Sequence, residues 1–279
     1  MKKIIIALIA TGVLCGLPMA GQASPYTDMR KFQDFYKKKF PTVKFQDFRH
    51  GYYTLPGKYA ADKRKQWKLI MEFPPYDVAL DQGKAFFEKN KLGTCFKNGG
   101  KGMAVSYPKV KNGKITTLEN AINTCLKSKG LEPFKGKNMK KGKGVAVTAY
   151  LKSLSRGWPI NVRINPKDKA SVAAYNEGKR VYWAKRGQLN FSCANCHVGN
   201  AGKMIRGNLL SAGLGHGVGF PAYRSKWGGM GSIHRRFMGC NKQVRAKPLK
   251  AQSRTYKALE LYEAYNNRGL KLVAPAQRF

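Results

Sequence analysis

Cys193-Ala194-Asn195-Cys196-His197 is the stretch on which the reading of this 279-residue chain turns. Its C-x-x-C-H spacing is the attachment pattern for c-type haem. Two thiols three positions apart reach the two vinyl groups of one porphyrin, and the adjacent imidazole becomes an axial iron ligand. A redox or zinc C-x-x-C pair with a bystander histidine is the competing reading. The first wants a strand and a β-α-β setting before the motif, and the second wants another ligand pair; neither is visible in the sequence. Opposite His197 the iron needs a sixth ligand or an open position. Downstream candidates are Met204, His216, Met230, His234, Met238 and Cys240, and spacing alone does not choose among them.

Residues 1–23 read as a secretory signal: Lys2 and Lys3, an apolar run from Ile4 to Leu17, then Gly21-Gln22-Ala23 as a small-residue cleavage site. Cys15 follows Leu14, where a lipoprotein site wants a small residue, so no lipid anchor is expected, and no other apolar run is long enough to span a bilayer. The expected product lies outside the cytoplasm. The formal charge is +39, or +37 without Lys2 and Lys3. Export argues against nucleic acid as the reason for that excess and leaves anionic substrates and acidic protein partners.

The mature chain also repeats itself. Gly83-Lys84-Ala85-Phe86-Phe87, Leu92 to Phe96, Tyr107-Pro108, Ile122 to Cys125, Tyr150-Leu151 and Arg156-Gly157 recur in order as Gly178 to Tyr182, Cys193 to His197, Phe220-Pro221, Phe237 to Cys240, Leu261-Tyr262 and Arg268-Gly269. Leu92 and Phe96 stand where the first cysteine and the histidine would be, so the first copy reads as a cytochrome module without haem. Its cysteines, Cys95 and Cys125, are then free to form a disulfide. The pattern predicts a mainly α fold of two cytochrome c-like domains, only the C-terminal one carrying haem. The boundaries are an N-terminal extension at 24–75 packed on the first module, a haem-less domain at 76–160 and a haem-binding domain at 161–279. Helices are expected at 82–90, 118–127, 145–154, 172–185, 233–240 and 253–265.

Two thioethers and one disulfide leave Cys240 over, either as a buried inert thiol or as a group near the haem face. Lys226, His234, Arg235 and Arg236 make its approach electropositive, a setting that favours thiolate. If the segment from Ser232 onward is helical, Arg236 and Cys240 share a face, and the guanidinium could hold an oxyanion by two hydrogen bonds.

Cys193 to His197 followed by Arg236-Phe237-Met238-Gly239-Cys240, with Phe220 to Arg224 and Leu118 to Cys125, resembles the A subunit of the SoxAX cytochromes of thiosulfate oxidation. The resemblance implies a periplasmic L-cysteine S-thiosulfotransferase that joins thiosulfate oxidatively to the cysteine of the SoxYZ carrier. It also implies a haem-bearing partner, SoxX, and leaves room for a small accessory subunit. On the family pattern Cys240 is the distal haem ligand and the active-site cysteine, often a persulfide, and Arg236 binds the sulfur substrate. Many relatives carry a second C-x-x-C-H; with Leu92 and Phe96 there, this chain resembles the single-haem branch, with one covalently bound haem c and a Cys95–Cys125 bridge. A thiolate-type ligand lowers the haem potential, so the haem is expected chiefly to tune Cys240 while the partner haem collects electrons. The alternatives are a simple periplasmic electron-transfer cytochrome with a Met or His distal ligand, and a binding scaffold whose haem only stabilises the fold.

Overall fold

Residues 24–279 are described by the computed structural model, and the expected signal at 1–23 lies outside the described residues. Ser24 opens the first helix, α1 (Pro25–Lys39): its hydroxyl accepts from Thr27 N–H at 3.2 Å, and Pro25 sits where no amide partner is needed. Asp28 in the first turn and Lys37 to Lys39 in the last match the helix dipole. Met29, Phe32, Gln33 and Tyr36 recur about one turn apart and are buried.

The place of that apolar stripe corrects the expectation that residues 24–75 pack on the first module. Phe32 meets Tyr182 and Tyr262 edge-on, the Gln33 amide donates to Asn266 O and Arg268 O, and Lys179 pairs with Asp28 at 2.6 Å. The turns at 45–54 and the next helix, α2 (Lys58–Ile70), continue the embrace: the Tyr59 hydroxyl donates to Gly207 O, and the Tyr53 ring stacks on Trp67 and meets Phe279 edge-on. The extension thus covers the second half of the chain, because the aromatic groups that fit its stripe are there.

The repeat appears as two sets of three helices. α3 (Asp77–Lys89), α4 (Leu118–Ser128) and α6 (Lys143–Ser153), with the short α5 (Asn138–Lys141) before α6, answer in order to α7 (Lys169–Trp183), α8 (Ile233–Gln243) and α9 (Arg254–Asn266). Thr117, Asp168, Ser232 and Ser253 cap their helices by accepting an amide from the first turn. The same close contact recurs in each set: a Cβ on Gly83 would lie 2.2 Å from Ala146 O, and a Cβ on Gly178 would lie 2.0 Å from Ala258 O. Backbone meets backbone where α3 crosses α6 and where α7 crosses α9, which requires glycine at both crossings. The six predicted helices are all present, and α3 begins at Asp77, ahead of the expected start at residue 82.

Strand content is small. β1 (Lys109–Lys111) and β2 (Lys114–Thr116) form a hairpin, as do β3 (Met204–Ile205) and β4 (Asn208–Leu209). β5 (Ala222–Arg224) lies between antiparallel β6 (Gly229–Gly231) and parallel β7 (Ala276–Arg278), with Arg224 beside Arg278 in register. One continuous buried cluster runs from Leu92, Ile122 and Leu151 through Tyr175, Tyr182 and Tyr262. Cys95 and Cys125 are joined as a disulfide, and a bridge closing a loop of this size contributes roughly 2–4 kcal/mol. Among the described residues no helix is long and apolar enough to cross a membrane.

Candidate functional site

The C-x-x-C-H motif is a wide turn held from three sides. Ser192 and Asn195 bond reciprocally: Ser192 N–H and Oγ donate to Asn195 Oδ1, and Asn195 N–H donates to Ser192 Oγ, all at 2.9–3.0 Å. The chain then makes a five-residue turn at Asn195–Gly199, closed by Asn200 N–H on Asn195 O. From α1, the Tyr36 hydroxyl donates to His197 O at 2.6 Å and accepts from Gly213 N–H at 3.0 Å, while Lys39 Nζ donates to Val198 O and Gly199 O. Replacing Tyr36 with phenylalanine leaves Gly213 N–H its bond to His197 O but removes both hydroxyl bonds from a buried site. The expected cost is about 1–2 kcal/mol, read from thermal unfolding of the haem-loaded protein.

His197 is oriented for metal. Its Nδ1 lies 3.0 Å from Ser211 O, and a carbonyl accepts only, so Nδ1 carries the proton and Nε2 keeps its lone pair. Burial, with His216 next in weight, holds the imidazole well below its ordinary range and therefore neutral. His216 packs edge-on against it with ring centroids 4.1 Å apart, and its Nε2 is 3.1 Å from Ser211 Oγ. That position is beside His197, the proximal ligand expected from the sequence, and not across from it, so His216 is corrected as a distal candidate. His234 is also removed from the candidates: it is 1% exposed, accepts from Gln252 N–H through Nδ1 and faces Glu260. Met230 belongs to a separate small cluster with Tyr76, Val145 and Ala149, Met204 is half exposed on the β3–β4 hairpin, and Met238 packs against the main core.

Cys240 behaves differently. It lies on α8, one turn after Arg236, and its charge is felt at both motif thiols. Burial pushes Cys193 up to about 12, with Cys240 the next contributor; Cys196 is raised by the same two causes while Arg236 opposes them. The electropositive approach is composed of different residues from those expected. Arg235 stacks on Trp227 at 4.2 Å and donates to Met230 O, and His234 is turned inward, so neither faces Cys240. Arg224 takes their place: burial and Arg236 push it down to about 10, and it also senses Cys240. Arg224 rests on Trp227 at 5.0 Å and donates to Phe279 O. Among the described residues no Asp or Glu side chain forms an ion pair with Arg236, which leaves its charge available to an anion, whereas Arg278 donates to Gln277 O and Arg49 O. Arg224 was readable only as part of the Phe220 to Arg224 stretch, without a role.

Two unpaired thiols at the right spacing and an imidazole with Nε2 free are the donors a covalently held haem takes, so the residues present fit that group. Comparison with known proteins agrees. The family model for the SoxA/TsdA cytochrome c domain matches residues 82–160, the half that lacks C-x-x-C-H. The L-cysteine S-thiosulfotransferase subunit SoxA of Chlorobaculum thiosulfatiphilum is 44% identical over 92% of this chain and 89% of its own length. The subunit of the same name from Allochromatium vinosum is 40% identical over 97% and 98%. The crystal structure of SoxXA from P. pantotrophus superposes with a TM-score of 0.64 at 33% identity, covering 74% of this chain and 79% of the other. With that identity over nearly its whole length, the chain belongs to the SoxA family of L-cysteine S-thiosulfotransferase subunits.

Proposed function

We propose that this chain is the catalytic, periplasmic A subunit of a thiosulfate-oxidising complex, and that it joins thiosulfate to the cysteine of a SoxYZ-type carrier with Cys240 as the reacting group. The observation that carries the reading is that Cys240, one turn after Arg236 on α8, is felt electrostatically by both motif thiols and by Arg224, while Arg236 forms no ion pair with an Asp or Glu side chain among the described residues. In the arrangement proposed, residues 24–75 are an extension, 76–160 a haem-less cytochrome c-like domain and 161–279 the haem domain. Cys193 and Cys196 would hold one haem c covalently, and His197 Nε2 and Cys240 Sγ are the groups that would ligate its iron. When bound, it supplies a ferric centre that tunes the Cys240 sulfur.

The chain's own residues divide the work. Arg236, with Arg224, holds the sulfonate end of the dianion and directs its outer sulfur to Cys240. Cys240 gives up its proton and forms an S–S bond to that sulfur; two electrons leave to the redox partner, a SoxX-type haem subunit, and one sulfonate charge remains. The carrier thiol then attacks the same sulfur, takes the S–SO3 group and returns the Cys240 thiol. His216 and His234, histidines that an ordinary electron carrier could set opposite His197, are both engaged elsewhere, which favours the enzyme reading.

Intact and peptide masses of the protein, taken without reductant, test this arrangement. One haem on the Cys193–Cys196 peptide and a Cys240 peptide free of any disulfide are expected; a Cys240 disulfide would return the chain to the electron-carrier reading. Arg236→Met should lower kcat/KM for thiosulfate roughly 10- to 100-fold, the cost of about one charge-assisted contact. Arg236→Lys should recover only part of it, because lysine lacks the planar fork. An unchanged kcat/KM in Arg236→Met would remove that residue from the substrate site.

A further inference from the structure

Near His216, whose ring packs on His197, lie three buried acids that the proposed chemistry does not use. Glu263 and Glu260, one turn apart on α9, are 7% and 8% exposed, and Glu119 on α4 is 5% exposed. One carboxylate oxygen of each has no hydrogen-bond partner. Glu263 Oε1 lies 3.5 Å from His216 Nδ1, and the His216 ring lies against His197. Glu260 Oε2 is 3.0 Å from His234 Nε2, close but out of hydrogen-bond alignment. A cavity of about 30 Å³, walled mostly by apolar side chains such as Val105, Ile160 and Leu272, is also lined by Glu263, Glu260, His216 and Lys152 and is large enough for one water molecule.

We propose that Glu263 is a proton-binding site coupled to the oxidation state of the haem held by His197. The proposal rests on His197 being the axial ligand. The balanced step is one electron to the iron from the redox partner and one proton from solvent to the Glu263 carboxylate, giving the carboxylic acid. The geometry assigns the sign. A ferric centre carries one more positive charge, which favours the ionised carboxylate through the His197–His216 contact; reduction removes that charge, and a buried carboxylate then takes up a proton.

The groups facing Glu263 agree with such a role. Glu260 on its own helix disfavours a second negative charge, while Arg236 and His234 on α8 favour it. Burial is the largest influence, and together these hold the carboxyl at about 8, close to neutrality. His216 and Lys152 complete the cavity, Tyr182 on α7 and Cys193 of the motif sense its charge, and Glu119 stands behind Glu260. The structural alternative, a carboxyl kept only for packing, would be protonated in both oxidation states and would leave no trace on the haem.

The test is a spectroelectrochemical titration of the intact, haem-loaded complex from pH 6 to pH 10, following this chain's haem by its own absorption. The wild-type potential should fall as pH rises, by up to about 59 mV for each tenfold drop in proton activity, in a window around pH 8. In Glu263→Gln, a neutral amide of the same shape, the potential should stay at the wild-type low-pH value throughout. Reduction of the wild type in weak buffer with an indicator dye should take up about one proton per electron near pH 8, a measurement that needs no variant. A flat wild-type potential, no proton uptake, or a wild-type slope in Glu263→Gln would overturn the assignment. Peptide masses taken first separate this from failure of the cofactor reading, which would show as no haem on Cys193 and Cys196.

Discussion

Cys240→Ser is expected to retain its haem and to lose thiosulfate conjugation by at least about three orders of magnitude, since a nucleophile that forms the covalent intermediate has no substitute nearby. Serine keeps the volume of the side chain and the helix around it: α8 is capped by Ser232 and buries Ile233, His234, Phe237 and Asn241. Stability should therefore change little. In the proposed arrangement haem is attached through Cys193 and Cys196, which the substitution leaves alone. The haem spectrum, however, should change, because an alcohol is a far weaker iron ligand than a thiolate. The two readouts separate the roles. Lost conjugation with an unchanged spectrum would keep Cys240 as the reacting group and remove it from the iron; retained conjugation would remove it from the reaction.

Gly178→Ala should be among the most damaging single methyl additions in the described residues. The added carbon would lie 2.0 Å from Ala258 O and 2.8 Å from Tyr262 Cβ, both parts that no rotamer change can move aside. α7 and α9 must separate, and they carry Tyr175, Tyr182, Leu259 and Tyr262, the ring cluster into which Phe32 of α1 inserts. Overpacking against backbone costs about 3 kcal/mol, which for a chain of this size lowers the melting temperature by roughly 6–12 °C. Gly83→Ala repeats the clash at Ala146 O in the α3–α6 pair. It should cost a similar amount in stability but spare the haem environment. Calorimetry of both variants, with haem content read from absorbance, checks the pair. Equal loss of haem in the two would mean that the halves do not respond separately.

Much of this was legible because the signals are local. The C-x-x-C-H turn, the Ser232 cap with Arg236 and Cys240 one turn apart, and the short landmarks opened by Gly83 and Gly178 are each read within a few turns of chain. What was missed depends on contacts distant in sequence. The stripe Met29, Phe32, Gln33, Tyr36 was hidden by the polar Gln33 and by the outward-facing Tyr26 and Phe35, so α1 was not foreseen and its partner half was misassigned. His216 stood among the distal candidates because the sequence gives only its distance along the chain. It is the folded path of the loop through Ser211 and Gly213 that brings its ring beside His197. The buried acids did leave a trace: Glu260 and Glu263 sit on α9 among Tyr256, Leu259, Leu261 and Tyr262, a helix buried on nearly every side.

The clamp on His197 O has a consequence for how such a protein is made. Tyr36 and His197 are 161 residues apart, so the first helix of the described residues closes on a turn that is made much later in the chain. The intervening half lies between them in sequence, so the unit around the Cys193–His197 turn is discontinuous along the chain. A fragment beginning at residue 161 would lack one wall of its own attachment site. Until α1 docks, the turn at Cys193–His197 lacks the Tyr36 and Lys39 bonds to its carbonyls.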